Sequence, residues 1–157
     1  QARDAAPHYQ HSEIGFNYRM SNVLAGIGRG QMEVLQERVE ARRTNYQYYK
    51  EYLSRFEGIE FLEEPDGLYS NRWLSCILTP SYEHRERIRL ALESENIESR
   101  PLWKPMHLQP VFKESQAFTD GTSEELFDRG LCLPSGSNLQ RADLDRVIDA
   151  ISKSYTP

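Results

Sequence analysis

Asn17, Tyr18 and Arg19 place an amide, a phenol and a guanidinium on consecutive residues just ahead of Ser21 and Asn22. From Ser21 onward apolar residues recur at helical spacing, so Ser21 or Asn22 can cap a helix through a side-chain oxygen. The three polar groups then stand beside free backbone N–H groups and a positive dipole end, a place that suits a phosphate or another anion. A second stretch rich in chemistry runs from Pro101 to Pro110 and carries Trp103, Lys104 and His107 among three prolines. Those prolines exclude regular helix and central strand. What remains is an ordered loop, and loops of that kind often carry function. By residue type alone, a lone histidine such as His107 reads as structural, and Trp103 reads equally well as core packing.

Other groups offer less. Gly26-Ile27-Gly28-Arg29-Gly30 has neither dinucleotide-fingerprint spacing nor a preceding strand, and no Gly-Lys-Ser follows. Each glycine costs a helix roughly 1 kcal/mol relative to alanine, so close approach of another backbone, within the fold or across a subunit interface, is the expected compensation. Cys76 and Cys132 sit in apolar surroundings far apart in sequence, and buried free thiols are expected rather than a disulfide. Two cysteines without clustered histidines give no zinc pattern. His8, His11 and His84 have no supporting context and read as surface residues. Arg42-Arg43 reads as solvated helix surface.

Charged residues make up 27% of the chain, hydrophobic residues 38% and aromatics 11%, which rejects a disordered chain. The net charge of −5 and the lack of a basic run argue against an electrostatically driven nucleic-acid binder. With no signal peptide and no apolar run long enough to cross a membrane, the expected location is cytoplasmic. Gln1 is not a natural initiator and the first twelve residues show no periodicity, so the chain reads as the middle of something longer.

These groups must be held by elements. Ser21 to Phe56 predicts a long helix, with a kink or a junction of two helices near Leu35 to Glu40. Leu24, Ile27, Val34, Leu35, Val39, Tyr46, Tyr49, Leu53 and Phe56 should line its inner face, with Arg42, Arg43 and Lys50 on the outer one. Strands are predicted over Ile59–Leu62, Arg72–Thr79 (central) and Ile97–Arg100, with a turn at Pro65-Asp66-Gly67. Ser81 should cap a helix over Tyr82–Glu95 that buries Ile88 and Leu92, with Leu90 a weaker inward position. A short helix is expected over Ser123–Gly130, an extended piece over Leu131–Pro134, and a closing helix over Arg141–Ser154 that buries Leu144, Val147, Ile148 and Ile151. The fold class is α+β: one domain over residues 1–157, with a small antiparallel or mixed sheet covered by helices and led by the long N-terminal helix.

Gly15-Phe16-Asn17-Tyr18-Arg19-Met20-Ser21-Asn22, followed by Gln31-Met32-Glu33-Val34-Leu35, resembles a signature of the DegT/StrS-type sugar-nucleotide aminotransferases, pyridoxal-phosphate enzymes of fold type I. Asn71-Arg72-Trp73-Leu74, Arg100 to Pro110, and Leu133-Pro134-Ser135-Gly136-Ser137-Asn138-Leu139 resemble further family segments in the same order. The resemblance covers nearly the whole chain but only the C-terminal part of the family pattern. It implies an N-terminal domain outside this chain that holds most of the cofactor pocket, including the lysine that bonds the cofactor and the acidic partner of the pyridine nitrogen. None of Lys50, Lys104, Lys113 and Lys153 has that lysine's setting, so the chain alone is expected to be inactive.

Residue by residue, the resemblance implies that Asn17 reaches across a homodimer to the cofactor phosphate. It implies that Arg19 meets the diphosphate of a nucleotide sugar, since guanidinium binds phosphate bidentately. It brings His107 near the sugar, with Trp103 and Lys104 along the nucleotide path. The implied activity is transfer of an amino group, typically from glutamate, to a 4-keto nucleotide-diphosphate sugar on a polysaccharide or glycan route. Bland alternatives stand beside these roles: a turn or capping residue at Asn17 and a salt bridge at Arg19. For the whole chain the alternatives are a non-catalytic regulatory or interaction domain that kept the scaffold, or a nucleotide-binding module acting alone.

Overall fold

A computed structural model describes Ala2, Asp4, Ala5 and residues 12–155. The surface placement expected for His8 and His11 lies outside the described residues. The chain divides into two compact units, residues 1–36 and 37–157.

In the first unit, helix α1 spans Asn22–Glu33 and is capped by Ser21, whose Oγ accepts the Leu24 N–H at 3.2 Å. It stops at Val34, whose N–H turns back to the Gln31 carbonyl. The long helical pattern is therefore two helices, α1 and α2 (Leu35–Leu53), with the junction just ahead of the expected window. No residue of α1 is buried: Leu24 and Ile27, expected inward, are each 58% exposed. Periodicity fixes which residues share a face but not whether that face is covered. Nothing described lies within 4 Å of the Cβ position at Gly26, Gly28 or Gly30, so a close backbone within the fold does not account for them.

The second unit is built on a four-stranded antiparallel sheet: β1 (Glu60–Phe61), β2 (Ser75–Leu78), β3 (Arg100–Pro101) and β4 (Gly130–Leu133), in the order β1-β2-β4-β3. β3 begins at Arg100, later than expected, and places Pro101 on an edge strand, where a missing N–H is tolerated. Helices α3 (Tyr82–Ser94) and α5 (Arg141–Tyr155) pack side by side. With α2 they bury Tyr49, Leu53, Ile88, Leu92, Leu144, Val147, Ile148 and Ile151 against Ile77 and Leu131 of the sheet. Each fully buried side chain of this kind stabilises the fold by about 1.5–3 kcal/mol. Leu90 is exposed, as is Leu35 at the start of α2.

The ends of these elements follow from local chemistry. Ser81 caps α3, and Asn96 ends its reach in a left-handed conformation (φ 56°) that asparagine tolerates. Gly58 follows α2 at φ 77°, where a side chain would also collide with Pro80. Helix α4 (Thr122–Arg129) runs directly into Gly130 of β4, where a Cβ would meet Leu102 and the Leu126 carbonyl.

Candidate functional site

Helix α2 does more than pack. Arg42, Asn45 and Tyr49, at helical spacing on one face, all reach the loop after β4. The Arg42 guanidinium donates to the carbonyls of Trp73 and, at 3.0 Å, of Ser135. Asn45 Nδ2 donates to the Gly136 carbonyl and the Tyr49 hydroxyl to the Pro134 carbonyl, both at 3.0 Å. Burial pushes the Tyr49 phenol above its ordinary pKa, so it stays a donor. Ser135 Oγ accepts the Ser75 N–H at 2.7 Å and donates to the Leu133 carbonyl, closing the sheet end. Arg42 is therefore not free surface, and neither is Arg43. Arg43 forms a fork with Glu64 at 3.0 and 2.9 Å and lies over the Tyr69 ring. The Arg43 pair, with the Ser70 N–H, holds the Glu64 carboxyl down at about 2. Sequence reading placed both arginines outward because charge marks a solvated face unless a partner is known. Lys50 likewise pairs with Glu63 at 2.6 Å.

Residues 70–74 carry Trp73 to the same loop. Ser70 Oγ accepts the Arg72 N–H and Asn71 Oδ1 accepts the Trp73 N–H, both at 3.1 Å. These side-chain turns support Arg72 at φ 49°, an uncommon backbone for a long side chain. The Arg72 guanidinium is buried over the Tyr46 ring, 3.8 Å from its centre, and donates to the Leu62 carbonyl at 2.9 Å. The indoles of Trp73 and Trp103 then stand 6.0 Å apart at 35°. They wall an open groove of about 670 Å³ whose lining includes Arg100, Cys132, Pro134 and Gly136. Arg100 and Cys132 face each other in the β3–β4 register, and Ile77 and Leu131 of the core are not in the lining. The groove thus lies on the sheet face that the helices leave open.

Trp103 is 64% exposed, so the core-packing alternative does not describe it. Lys104 is exposed, and its carbonyl accepts from Gln109 Nε2 at 3.5 Å. His107 does not open onto the Trp73–Trp103 groove. It lies in a 3₁₀ turn (Met106–Leu108) at a separate shallow depression formed with Phe118, Asp120, Ser123 and Leu126. His107 Nε2 is 2.6 Å from Glu124 Oε1 in the first turn of α4. Glu124 is held below the usual carboxylate range, first by its own backbone N–H at the helix start and then by His107. His107 Nδ1 has no hydrogen-bond partner among the described residues. His84, expected as plain surface, is half-buried, with Nδ1 3.0 Å from Ser81 Oγ.

In the first unit, Asn17 Oδ1 accepts the Arg19 N–H at 3.1 Å, a local turn that leaves Nδ2 available to donate outward. The Arg19 guanidinium makes no ion pair among the described residues. The first turn of α1 carries no acidic residue, so nothing there opposes an anion. Among the described residues no cluster of three or more histidine, cysteine, aspartate or glutamate side chains could hold a metal, and no described helix is long and apolar enough to cross a membrane.

Known proteins match this arrangement along its length. The chain is 48% identical over 155 residues to EpsN of Bacillus subtilis, provisionally named a pyridoxal phosphate-dependent aminotransferase, covering 96% of this chain and 40% of that protein. It is 30% identical over 148 residues to the GDP-perosamine synthase of Escherichia coli O157:H7, covering 94% and 40%. A crystal structure of a DegT DnrJ EryC1 StrS aminotransferase from Brucella abortus superposes with a TM-score of 0.79 at 28% identity, covering 96% and 40%. The chain therefore spans about two-fifths of the length of these relatives. The profile of the DegT/DnrJ/EryC1/StrS aminotransferase family matches residues 1–152, and the chain belongs to that family.

Proposed function

We propose that this chain is the C-terminal part of a pyridoxal phosphate-dependent aminotransferase that aminates a 4-keto nucleotide-diphosphate sugar. The 48% identity to EpsN across 96% of the chain carries this reading. The similarity to a GDP-perosamine synthase supports a nucleotide sugar as acceptor. In this reading residues 1–157 form one C-terminal domain, an N-terminal domain supplies the cofactor lysine, and two copies of the whole protein pair.

Pyridoxal phosphate, when bound, supplies an electron sink at the carbon that carries the amino group. The residues of this chain bind and orient. Asn17 Nδ2, freed by the turn that engages Oδ1, donates to the cofactor phosphate of the neighbouring subunit. Arg19, with no carboxylate partner described, offers its fork to the sugar diphosphate. Trp103, paired with Trp73, offers a flat wall on which a nucleobase stacks, and Lys104 lies beside it on the nucleotide path. Glu124 holds Nε2 of His107, fixing the ring so that Nδ1 is presented to the sugar.

Expression of the full reading frame that encodes this chain tests the reading. The purified protein, given pyridoxal phosphate, glutamate and a 4-keto nucleotide-diphosphate sugar, should yield 2-oxoglutarate and an amino sugar nucleotide in equal amounts by mass spectrometry. A frame that encodes no lysine-bearing domain upstream, or a protein that aminates no such sugar, would return the chain to a non-catalytic role.

A further inference from the structure

The two cysteines lie 56 residues apart in sequence, yet they are direct partners in the β2–β4 register, with sulfurs 3.7 Å apart. The hydrogen-bond pattern of the ladder fixes the kind of pair they make. The Thr79 N–H donates to the Arg129 carbonyl one step beyond the last strand pair, which makes Thr79 and Arg129 a hydrogen-bonded pair. Antiparallel pairs alternate, so Ile77–Leu131 is hydrogen-bonded and Cys76–Cys132 is not. Residues opposite each other at a non-hydrogen-bonded position have Cα atoms about 4.5 Å apart and side chains on one face. That separation falls inside the disulfide range of about 4.4–6.8 Å, so side-chain rotation alone can bring the sulfurs to bonding distance near 2.05 Å.

We infer that Cys76 and Cys132 form a reversible thiol–disulfide site, oxidised by a small disulfide that enters from the groove walled by Trp73 and Trp103. Cys132 lines that groove, and Cys76 is half-buried beside it. The two thiols are within hydrogen-bonding reach of each other, and either can donate to the other, so a thiolate formed on one sulfur is steadied by the thiol of its partner. Cys132, the cysteine that lines the groove, meets the entering disulfide first and attacks it as the thiolate. It attacks one sulfur of the small disulfide, forms a mixed disulfide and expels one thiolate. The Cys76 thiol, losing its proton, then attacks the Cys132 sulfur and expels the second. In sum, two protein thiols are oxidised, one small disulfide is reduced to two thiols, and the protein gains one bond between its two central strands.

The bond would form at Cys132, which lines the same groove as Trp73 and Trp103, the two tryptophans of the chain. Oxidation thus changes the surroundings of these indoles, and intrinsic fluorescence reports it. The test is equilibration of the folded chain in a buffer of oxidised and reduced glutathione. Acid quenching, alkylation and non-reducing peptide mapping follow. The expected result is a monomer that loses both free thiols together, yields a peptide linking Cys76 to Cys132, changes its fluorescence in step, and recovers both thiols in dithiothreitol. A Cys76→Ser chain should stop at a glutathione adduct on Cys132. Two thiols that stay free throughout the oxidising range would overturn the inference, as would links formed only between chains.

Discussion

Tyr49→Phe removes one oxygen atom and leaves the aromatic ring in place, which makes it a clean probe of the contact between α2 and the loop after β4. The Tyr49 side chain is fully buried, and its hydroxyl donates to the Pro134 carbonyl at 3.0 Å. The ring still fills its space in the variant, so no cavity term arises. What is lost is one neutral hydrogen bond, and the Pro134 carbonyl is left without its donor. Such a loss costs about 1–3 kcal/mol, mostly from the stranded acceptor. With a urea dependence of about 2 kcal/mol per molar, the unfolding midpoint should fall by about 0.5–1.5 M at an unchanged slope. Tyr18→Phe serves as control. Tyr18 is 89% exposed, and its substitution should stay within about 0.5 kcal/mol of the parent. A Tyr49→Phe chain as stable as the Tyr18→Phe chain would refute the claim that α2 holds the loop through buried polar contacts.

Three other outcomes follow from the geometry. The Glu64 carboxyl, held at about 2 in the fold against about 4.3 in an unfolded chain, contributes stability that is fully present above the unfolded value and lost as pH falls towards 2, so Glu64→Gln should flatten the acid limb of a stability–pH curve in that window. In the full-length protein, Asn17→Ala should weaken cofactor retention by about 1.5–3 kcal/mol, a factor of roughly 10 to 150, measured by equilibrium dialysis of pyridoxal phosphate; unchanged retention would leave Asn17 as the turn residue that its Oδ1 contact describes. His107→Ala should lower kcat/KM for the sugar nucleotide with cofactor affinity unchanged, and Glu124→Gln should shift the pH profile of that step in the same protein; a lower Tm with normal kinetics would mark the pair as structural.

Much of the fold was legible because local signals agreed with tertiary ones. Ser81 and Asn96 bracket α3, the spacing of Leu144, Val147, Ile148 and Ile151 gave α5 its buried face, and Ser21 marked the start of α1. The strands were found but not their partners. Pairing of β2 with β4 joins segments more than fifty residues apart, and only that pairing brings Cys76 to Cys132. The same limit hid the polar face of α2. Arg42 and Asn45 carry no sequence mark of the carbonyls they reach some thirty to ninety residues away. On α1 the error ran the other way: a regular apolar pattern was read as core, and Leu24 and Ile27 are exposed. The proline loop was rightly read as irregular, but its two ends face different depressions. Trp103 meets Trp73, while His107 meets Glu124. The resemblance brings His107 near the sugar and Trp103 and Lys104 along the nucleotide path, but adjacency in sequence says nothing about which way the loop between them turns.

The central claim is that this chain completes a pyridoxal phosphate-dependent amino-transfer enzyme. The absorption spectrum of the full-length protein with bound cofactor tests it most directly. Glutamate alone should convert the cofactor's aldehyde-level band to its amine-level band. A 4-keto nucleotide-diphosphate sugar should then restore the first band, with one amino sugar formed per cofactor. A spectrum that responds to neither addition would contradict the account.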